Sequence, residues 1–362
     1  MAALLQVEQW IDESLALQVP TTCLSSPPDL PAPLRGDGLP VALVSPQGTG
    51  GAELMTATLA AELQAMGFNT TLHNPWAPAP AGHPLAHLVD WQHGLQGIGD
   101  AAVVIWWGNT LQGYLDDGWE VQNSIHVVHS AGQPTRALLS GLRGHLQGSA
   151  LVGVSGAAAE LASEITDQPA RVIWNGAADP GAPHCRPPSR GQYIVGCLGR
   201  YAPEKNLISA VGALSLLPAD YRLRCYGPGP DRGKVYEAAQ ALGVADRVDL
   251  GGCLPDPARA WAEFDCLLLP STYEGLPLVV PEAMLAGCPV VATPCCDLPL
   301  ILEGRGTLTG PEPQEIADSL QATRADPDTI TRAAWATLYA AHHLTAEAMA
   351  RRYASLIWQV YA

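Results

Sequence analysis

The sequence predicts an α/β protein made of two doubly wound, Rossmann-like domains facing across a cleft. Three observations predict it. Short apolar runs alternate with helical patterns along most of the chain, as buried parallel strands and their crossover helices do. The alternation is interrupted by a stretch dense in Pro and Gly from Asp179 to Gly191, which reads as a domain boundary. The chain has 362 residues, more than one hydrophobic core usually organises.

The elements follow in order. Residues 1–18 carry Leu4, Val7, Ile11 and Leu15 at helical spacing, and a Pro-rich connector runs on to Pro33. Residues 1–35 are therefore expected as an N-terminal helical extension. Residues 36–183 are expected as the first Rossmann-like domain. Its strands are Val41–Ser45, Asn69–His73, Ala101–Trp106, Ile125–His129, Leu151–Val154 and Arg171–Trp174, with helices over Ala52–Met66 and from Gly156. Residues 184–343 repeat this grammar. The strands there are Tyr193–Leu198, Arg222–Tyr226, Val248–Leu250, Asp265–Leu269 and Pro289–Ala292. The helices between them are Leu207–Leu217, Gly233–Leu242, Pro257–Glu263 and Leu278–Ala286, and a last helix covers Ala346–Tyr361 within 344–362. In such folds, ligands sit at the carboxyl ends of strands.

Composition removes several function classes. With 19 Lys and Arg against 35 Asp and Glu, the net charge is −16. Such a chain is poorly suited to nucleic acid or to anionic membranes. Residues 1–187 hold 5 basic and 16 acidic residues and no lysine; Lys205 and Lys234 both lie in the second half. Arg136, Arg143 and His145 make only a weak basic patch, so at most weak membrane association is expected. Met1–Val19 has no basic segment and contains Glu8, Asp12 and Glu13, unlike a signal peptide. No apolar run approaches the roughly 18 residues of a membrane span. There are nine cysteines and no C-x-x-C pair, which fits free thiols in a reducing, cytoplasmic setting. The adjacent Cys295 and Cys296 stand out as a redox or metal candidate without complementary ligand spacing.

Two segments carry chemistry. The first is Ser271-Thr-Tyr-Glu274-Gly275-Leu276-Pro277-Leu278-Val-Val-Pro-Glu282, directly after an apolar strand. Gly275 lets a ligand approach the backbone, amides at a helix start favour a phosphate, and carboxylates beside them suit hydroxyls. That combination points to a sugar nucleotide; the alternative is a pair of solvated or capping glutamates. The second is Gly199-Arg200-Tyr-Ala-Pro-Glu204-Lys205, where two cations at a strand end suit a diphosphate. Its alternative is a surface lysine beside Glu204. Weaker signals are the Gly-rich turn at Gly48–Gly51, the histidine His129 with His126 as its near alternative, and Trp106-Trp107-Gly108-Asn109. The histidine suits a sugar hydroxyl or a proton shuttle, against a structural role. The tryptophans read either as a stacking floor for an acceptor sugar or as a buried pair.

Together these residues resemble the family-4 retaining glycosyltransferases (glycosyl transferases group 1), which have the GT-B fold. The resemblance covers about residues 40–361. It rests on Glu274-x7-Glu282 within EGLPL and AGCPVVAT, on Arg200-x4-Lys205, and on Gly227-Pro-Gly229. Val154-Ser155, Trp174-Asn175-Gly176 and Gly50-Gly51-Ala-Glu53 add to it. Pro281 stands where the family usually has an aliphatic residue. The resemblance implies transfer of a sugar from a nucleotide-diphosphate sugar, UDP first and GDP next, to a soluble hydroxyl acceptor such as a saccharide or small molecule. It implies no metal and no cofactor beyond the donor substrate. Arg200 and Lys205 would hold the diphosphate, Glu282 the ribose, and Glu274 with Gly275–Leu278 the donor sugar. Gly227, Gly229, Cys253 and Leu254 would border the base, Gly50 and Gly51 the donor from the first loop, and His129 the transferred sugar. The last helix would return to the first domain. The scarcity of positive charge in the first half favours a neutral or cationic acceptor. Rival readings are a non-catalytic sugar-nucleotide sensor or scaffold and a sugar-nucleotide epimerase.

Overall fold

The computed structural model describes residues 30–45, 51–74, 89–95, 97–108, 110, 123–178, 191–254 and 258–362. The expected helix over 1–18, Gly50, Asn109 and the connecting loop 179–190 lie outside the described residues. The chain divides into two compact units, one containing Pro27–Ala178 with His343–Ala362, the other Asp179–His342.

The first unit holds a parallel sheet of seven strands: β1 (Pro40–Val44), β2 (Asn69–Asn74), β3 (Asp90–His93), β4 (Val103–Trp107), β5 (Ser124–Val128), β6 (Ala150–Gly153) and β7 (Ala170–Val172). Their spatial order is β3-β2-β1-β4-β5-β6-β7. Helices α1 (Gly51–Ala65), α2 (Gln133–Leu142) and α3 (Gly156–Thr166) connect them. Every residue of β1's neighbour β4 is buried, so its sequence, VVIWW, shows no polar alternation. The weak basic patch is neutralised. Arg136 donates two hydrogen bonds to Glu164, at 2.8 and 2.9 Å, and Arg143 pairs with Asp167.

The second unit holds six parallel strands: β8 (Tyr193–Leu198), β9 (Tyr221–Tyr226), β10 (Val248–Leu250), β11 (Cys266–Leu269), β12 (Val290–Ala292) and β13 (Thr307–Leu308). The order β10-β9-β8-β11-β12-β13 repeats the first unit's topology. Its helices are α4 (Leu207–Leu216), α5 (Arg232–Ala241), α6 (Ala258–Glu263), α7 (Val279–Leu285), α8 (Leu298–Leu302), α9 (Pro313–Ala325) and α10 (Thr329–His343). Val195, Leu223 and Leu268 of the sheet pack with Val211 of α4 and Ile316 of α9 in one core. The thiols of Cys197, Cys225 and Cys266 are buried there, and desolvation pushes that of Cys266 up to about 12. In both sheets the order reverses beside the first strand, which places a switch point between β8 and β11.

The last helix, α11 (Ala346–Tyr361), belongs to the first unit. Thr345 caps it by accepting from the Ala348 amide at 3.1 Å. Residues 177 and 345 form a parallel bridge, and Ala346 N donates to Ala177 O at 2.8 Å. Tyr353 and Ile357 are fully buried, and Trp358 Nε1 donates to Arg35 O. Among the described residues no helix is long and apolar enough to cross a membrane. At Gly176, a Cβ would stand 2.1 Å from Thr345 O. Gly176→Ala therefore has to push α11 off its seat. We expect it to destabilise the first unit by on the order of 2 kcal/mol, read as a lower denaturant midpoint.

Candidate functional site

The switch point of the second unit brings together residues far apart in sequence. β8 ends at Leu198, and the chain passes through Gly199 and Arg200 into a single 3-10 turn, Pro203–Lys205, before α4 begins. β11 ends at Leu269 beside it and continues into Pro270 and Ser271. Thr272 N donates to Glu204 O at 2.8 Å, which fastens one loop to the other. Across this junction Lys205 Nζ donates to Glu274 Oε1 at 2.5 Å, and Ser271 Oγ donates to the same oxygen at 2.7 Å. The Lys205 and Glu274 side chains are only 20% and 11% exposed, so the pair is largely withdrawn from water. Residues 197–200, Lys205 and 268–271 line a pocket at this point.

Arg200 behaves differently. Its guanidinium donates to Glu204 Oε1 at 2.7 Å, but its side chain is 63% exposed. Exposed pairs of this kind contribute little, so Arg200 can exchange Glu204 for another anion at small cost.

The loops after β9 and β10 are woven into the same end. Gly199 N donates to Tyr226 O at 3.0 Å, Tyr201 N to Pro228 O at 2.7 Å, and Gly227 N to Gly252 O at 3.1 Å. The buried Tyr201 hydroxyl shares its proton between Cys225 O at 2.8 Å and Gly251 O at 3.0 Å. Gly227 (φ 149°) and Gly229 (φ 141°) adopt backbone that side chains rarely take. A Cβ on them would sit 1.9 Å from Gly199 O and 2.4 Å from Tyr201 O. Cys253 is exposed and Leu254 half-buried on the neighbouring loop.

Gly275, Leu276, Pro277 and Leu278 lead from the cluster into α7, where Glu282 is the acid of the first turn. Pro281 sits early in that helix, where a missing amide costs little. Thr337 of α10 donates to Met284 O at 2.7 Å and fixes α7 from behind. Burial pushes the Glu282 carboxyl up to about 7.

In the first unit, His129 directly follows β5. Its ring packs on Trp107 at 5.3 Å between centroids, its Nε2 is buried without a partner, and burial lowers its pKa to about 4. His126 lies on the other face of the strand. It bonds Ser124 Oγ at 3.1 Å, stacks on Trp106 and is lowered by burial to about 3, as suits a structural histidine. Trp106 and Trp107 are 2% and 0% exposed, so they are core residues; the stacking-floor reading is corrected. Gly51 is exposed and opens α1.

The sequence alone assigns no role to Ser271, Tyr201 or Thr293. Thr293 Oγ1 donates to Ser271 O, which positions the hydroxyl that holds Glu274. Ser271 was inside the quoted motif; nothing in the sequence pairs Thr293 with it.

Residues 192–326 match the family model described as glycosyl transferases group 1. The matched stretch runs from the start of β8 to the end of α9. Among curated proteins, the chain is 38% identical over 111 residues to a 2-deoxystreptamine glucosyltransferase of Streptomyces kanamyceticus, covering 29% of this chain and 28% of the relative. It is 32% identical over 151 residues to a 2-deoxystreptamine N-acetyl-D-glucosaminyltransferase of Streptomyces fradiae, covering 40% and 33%. The chain thus spans about a third or less of these relatives' lengths in the matches. Among solved structures, Anabaena Alr3699/HepE in complex with UDP and glucose superposes with a TM-score of 0.78 at 19% identity, over 89% of this chain and 100% of that one. Sucrose-phosphate synthase from Thermosynechococcus elongatus gives 0.74 at 19% identity, over 89% and 99%. The two parallel-sheet, Rossmann-like domains thus have the GT-B fold.

The two cations differ in a measurable way. Lys205→Ala leaves Glu274 partly buried with Ser271 alone and should destabilise the domain by about 1–3 kcal/mol. Arg200→Ala should stay within about 0.5 kcal/mol of the wild type. Equal midpoints in urea for the two variants would refute the contrast.

Glu282 gives a pH signature. The folded carboxyl keeps its proton to about 7, whereas the unfolded one releases it near the ordinary 4.5. Between those values the unfolded state binds fewer protons, so stability falls as pH rises through the window. Glu282→Gln should abolish that slope and gain at most about 3 kcal/mol over the wild type above pH 7, with no gain below pH 4.5. Urea unfolding across pH 4–8 tests it.

Proposed function

We propose that the protein is a retaining glycosyltransferase that moves a sugar from a nucleotide-diphosphate sugar to a hydroxyl of a soluble acceptor. The observation that carries this reading is the Lys205–Glu274–Ser271 cluster at the carboxyl ends of β8 and β11, with Arg200 beside it. A cation and a carboxylate held side by side provide for a phosphate and for a hydroxyl at once, which is the chemistry of a sugar diphosphate.

Arg200 exchanges Glu204 for the donor diphosphate, and Lys205 turns toward it from Glu274. Glu274 then accepts from a sugar hydroxyl, and Glu282 from the ribose. As the glycosidic bond breaks, negative charge grows on the leaving diphosphate, and the two cations stabilise it where it forms. The leaving phosphate takes the acceptor's proton on the same face, which preserves configuration. The nucleotide sugar is a substrate, and the reaction uses no cofactor. His129 contributes a neutral imidazole for a sugar hydroxyl. UDP is the favoured base, supported by the Anabaena neighbour with UDP, and GDP is next. The two Streptomyces relatives are named for 2-deoxystreptamine, which supports a small soluble acceptor. The lysine-free, acidic first half further favours one that is neutral or cationic.

Thermal shift against UDP, GDP and ADP identifies the base, and acceptor-dependent release of the nucleoside diphosphate measures transfer. Arg200→Ala and Lys205→Ala should each lower kcat/KM by about 10²–10³-fold, the range for a lost transition-state donor. Binding without turnover would favour a sensor, and acceptor-free conversion of the sugar nucleotide an epimerase.

A further inference from the structure

Tyr201 directly follows Arg200 and has no part in the proposed transfer, yet its two ends are tied to neighbouring loops. Its amide donates to Pro228 O at 2.7 Å, and its carbonyl accepts from Asp231 N at 3.2 Å. Its ring is 0% exposed. The hydroxyl at the far end of that ring reaches Cys225 O in β9 at 2.8 Å and Gly251 O, just past β10, at 3.0 Å. One residue thus joins the chain after β8 to the chain after β9 and after β10. A phenylalanine ring would fill the same space, so the hydroxyl adds the tie and little packing.

Arg200 sits between two anchored residues. On one side Gly199 N donates to Tyr226 O at 3.0 Å, and on the other stands Tyr201. The Arg200 side chain itself is 63% exposed and leans on Glu204. A long, solvated side chain gives up rotamer freedom when it binds an anion. Where the backbone beneath it is also loose, more freedom is lost on binding. A backbone fixed in advance removes that part of the cost.

We propose that Tyr201 is a positioning residue for Arg200: its hydroxyl, bonded to Cys225 O and Gly251 O, holds the Arg200 backbone where the guanidinium meets a nucleoside diphosphate. The proposal rests on the reading of Arg200 as a diphosphate cation.

The phenol grips the strand ends, while the backbone of the same residue grips Pro228 and Asp231. Gly229 permits that approach, since a Cβ there would stand 2.4 Å from Tyr201 O. Loss of the hydroxyl loosens residue 201 and with it the peptide that carries Arg200. The Tyr201 side chain is buried, so its effect on a ligand passes through the arginine.

The test is a double-mutant cycle on the full chain, with Tyr201→Phe, Arg200→Ala and the two combined. Calorimetric titration measures the affinity for whichever of UDP, GDP and ADP the wild type binds most tightly. Tyr201→Phe should weaken that affinity by about three- to tenfold, the range for one lost hydrogen bond. In the Arg200→Ala background the same change should cost less than about twofold, because the group it positions is gone. In the ligand-free protein, amide exchange at Tyr201, Gly227 and Asp231 should quicken in Tyr201→Phe by a similar factor, with that of Leu267 and Leu268 in β11 unchanged. A lower urea midpoint with unchanged nucleotide affinity would make Tyr201 a purely structural residue and overturn the proposal. Equal losses in the two backgrounds, or unchanged exchange, would overturn it as well. Each of these results leaves the glycosyltransferase reading standing, whereas a wild type that binds none of the three nucleotides overturns both.

Discussion

A parallel sheet has a direction. Every strand delivers its carboxyl end to the same side, and every crossover returns along the faces, so the loops that can meet a ligand all gather at one edge. In the second unit this constraint does most of the organising. The first strand of the fold, β8, lies between β9 and β11, so three successive loops converge on Gly199 and Arg200. Lys205 and Glu274, 69 positions apart, meet because their loops leave adjacent strands on the same side. The convergence demands close backbone approach, and Gly227 and Gly229 meet that demand by having no Cβ to place.

The two cations divide the work by their surroundings. Lys205 is tied into a shielded pair whose carboxylate has a second donor in Ser271, so it is part of the structure as well as part of the site. Arg200 rests on a solvated partner that holds it only weakly, so in the proposed reaction it is the cation that changes partner. Glu282 is different again. It is an acid placed where water is scarce, and it costs the ligand-free fold stability above its ordinary pKa. In the proposed function, a ribose hydroxyl would replace the missing water.

The fold and the second-unit site were legible because they depend on local signals. Apolar runs such as Cys266–Leu269 identify central strands, and Gly275 and Gly199 punctuate strand ends. What was not legible has physical reasons. β3, with the sequence DWQH, is a half-exposed edge strand without an apolar run. β13 has only two residues. α9 carried a readable start in Glu312, Pro313 and Glu315, whose reciprocal capping box the structure confirms, yet residues 294–345 yielded no assignment. The pairing of Lys205 with Glu274 was also invisible, since spacing assigns each a ligand and cannot show that they hold one another. Burial of Trp107 depends on helix α11, which lies far along the chain and packs Tyr353 against it.

That distant helix makes the first unit discontinuous. Its sheet is translated first, yet the helix that covers Trp107 comes from residues 346–361, after the whole second unit. During synthesis the early sheet therefore waits with an apolar face open, while the sheet of the second unit, whose strands lie between residues 193 and 308, can form as soon as it emerges. The order of completion is the reverse of the order of translation, and a chain interrupted before residue 346 would join a finished second sheet to an unfinished first one.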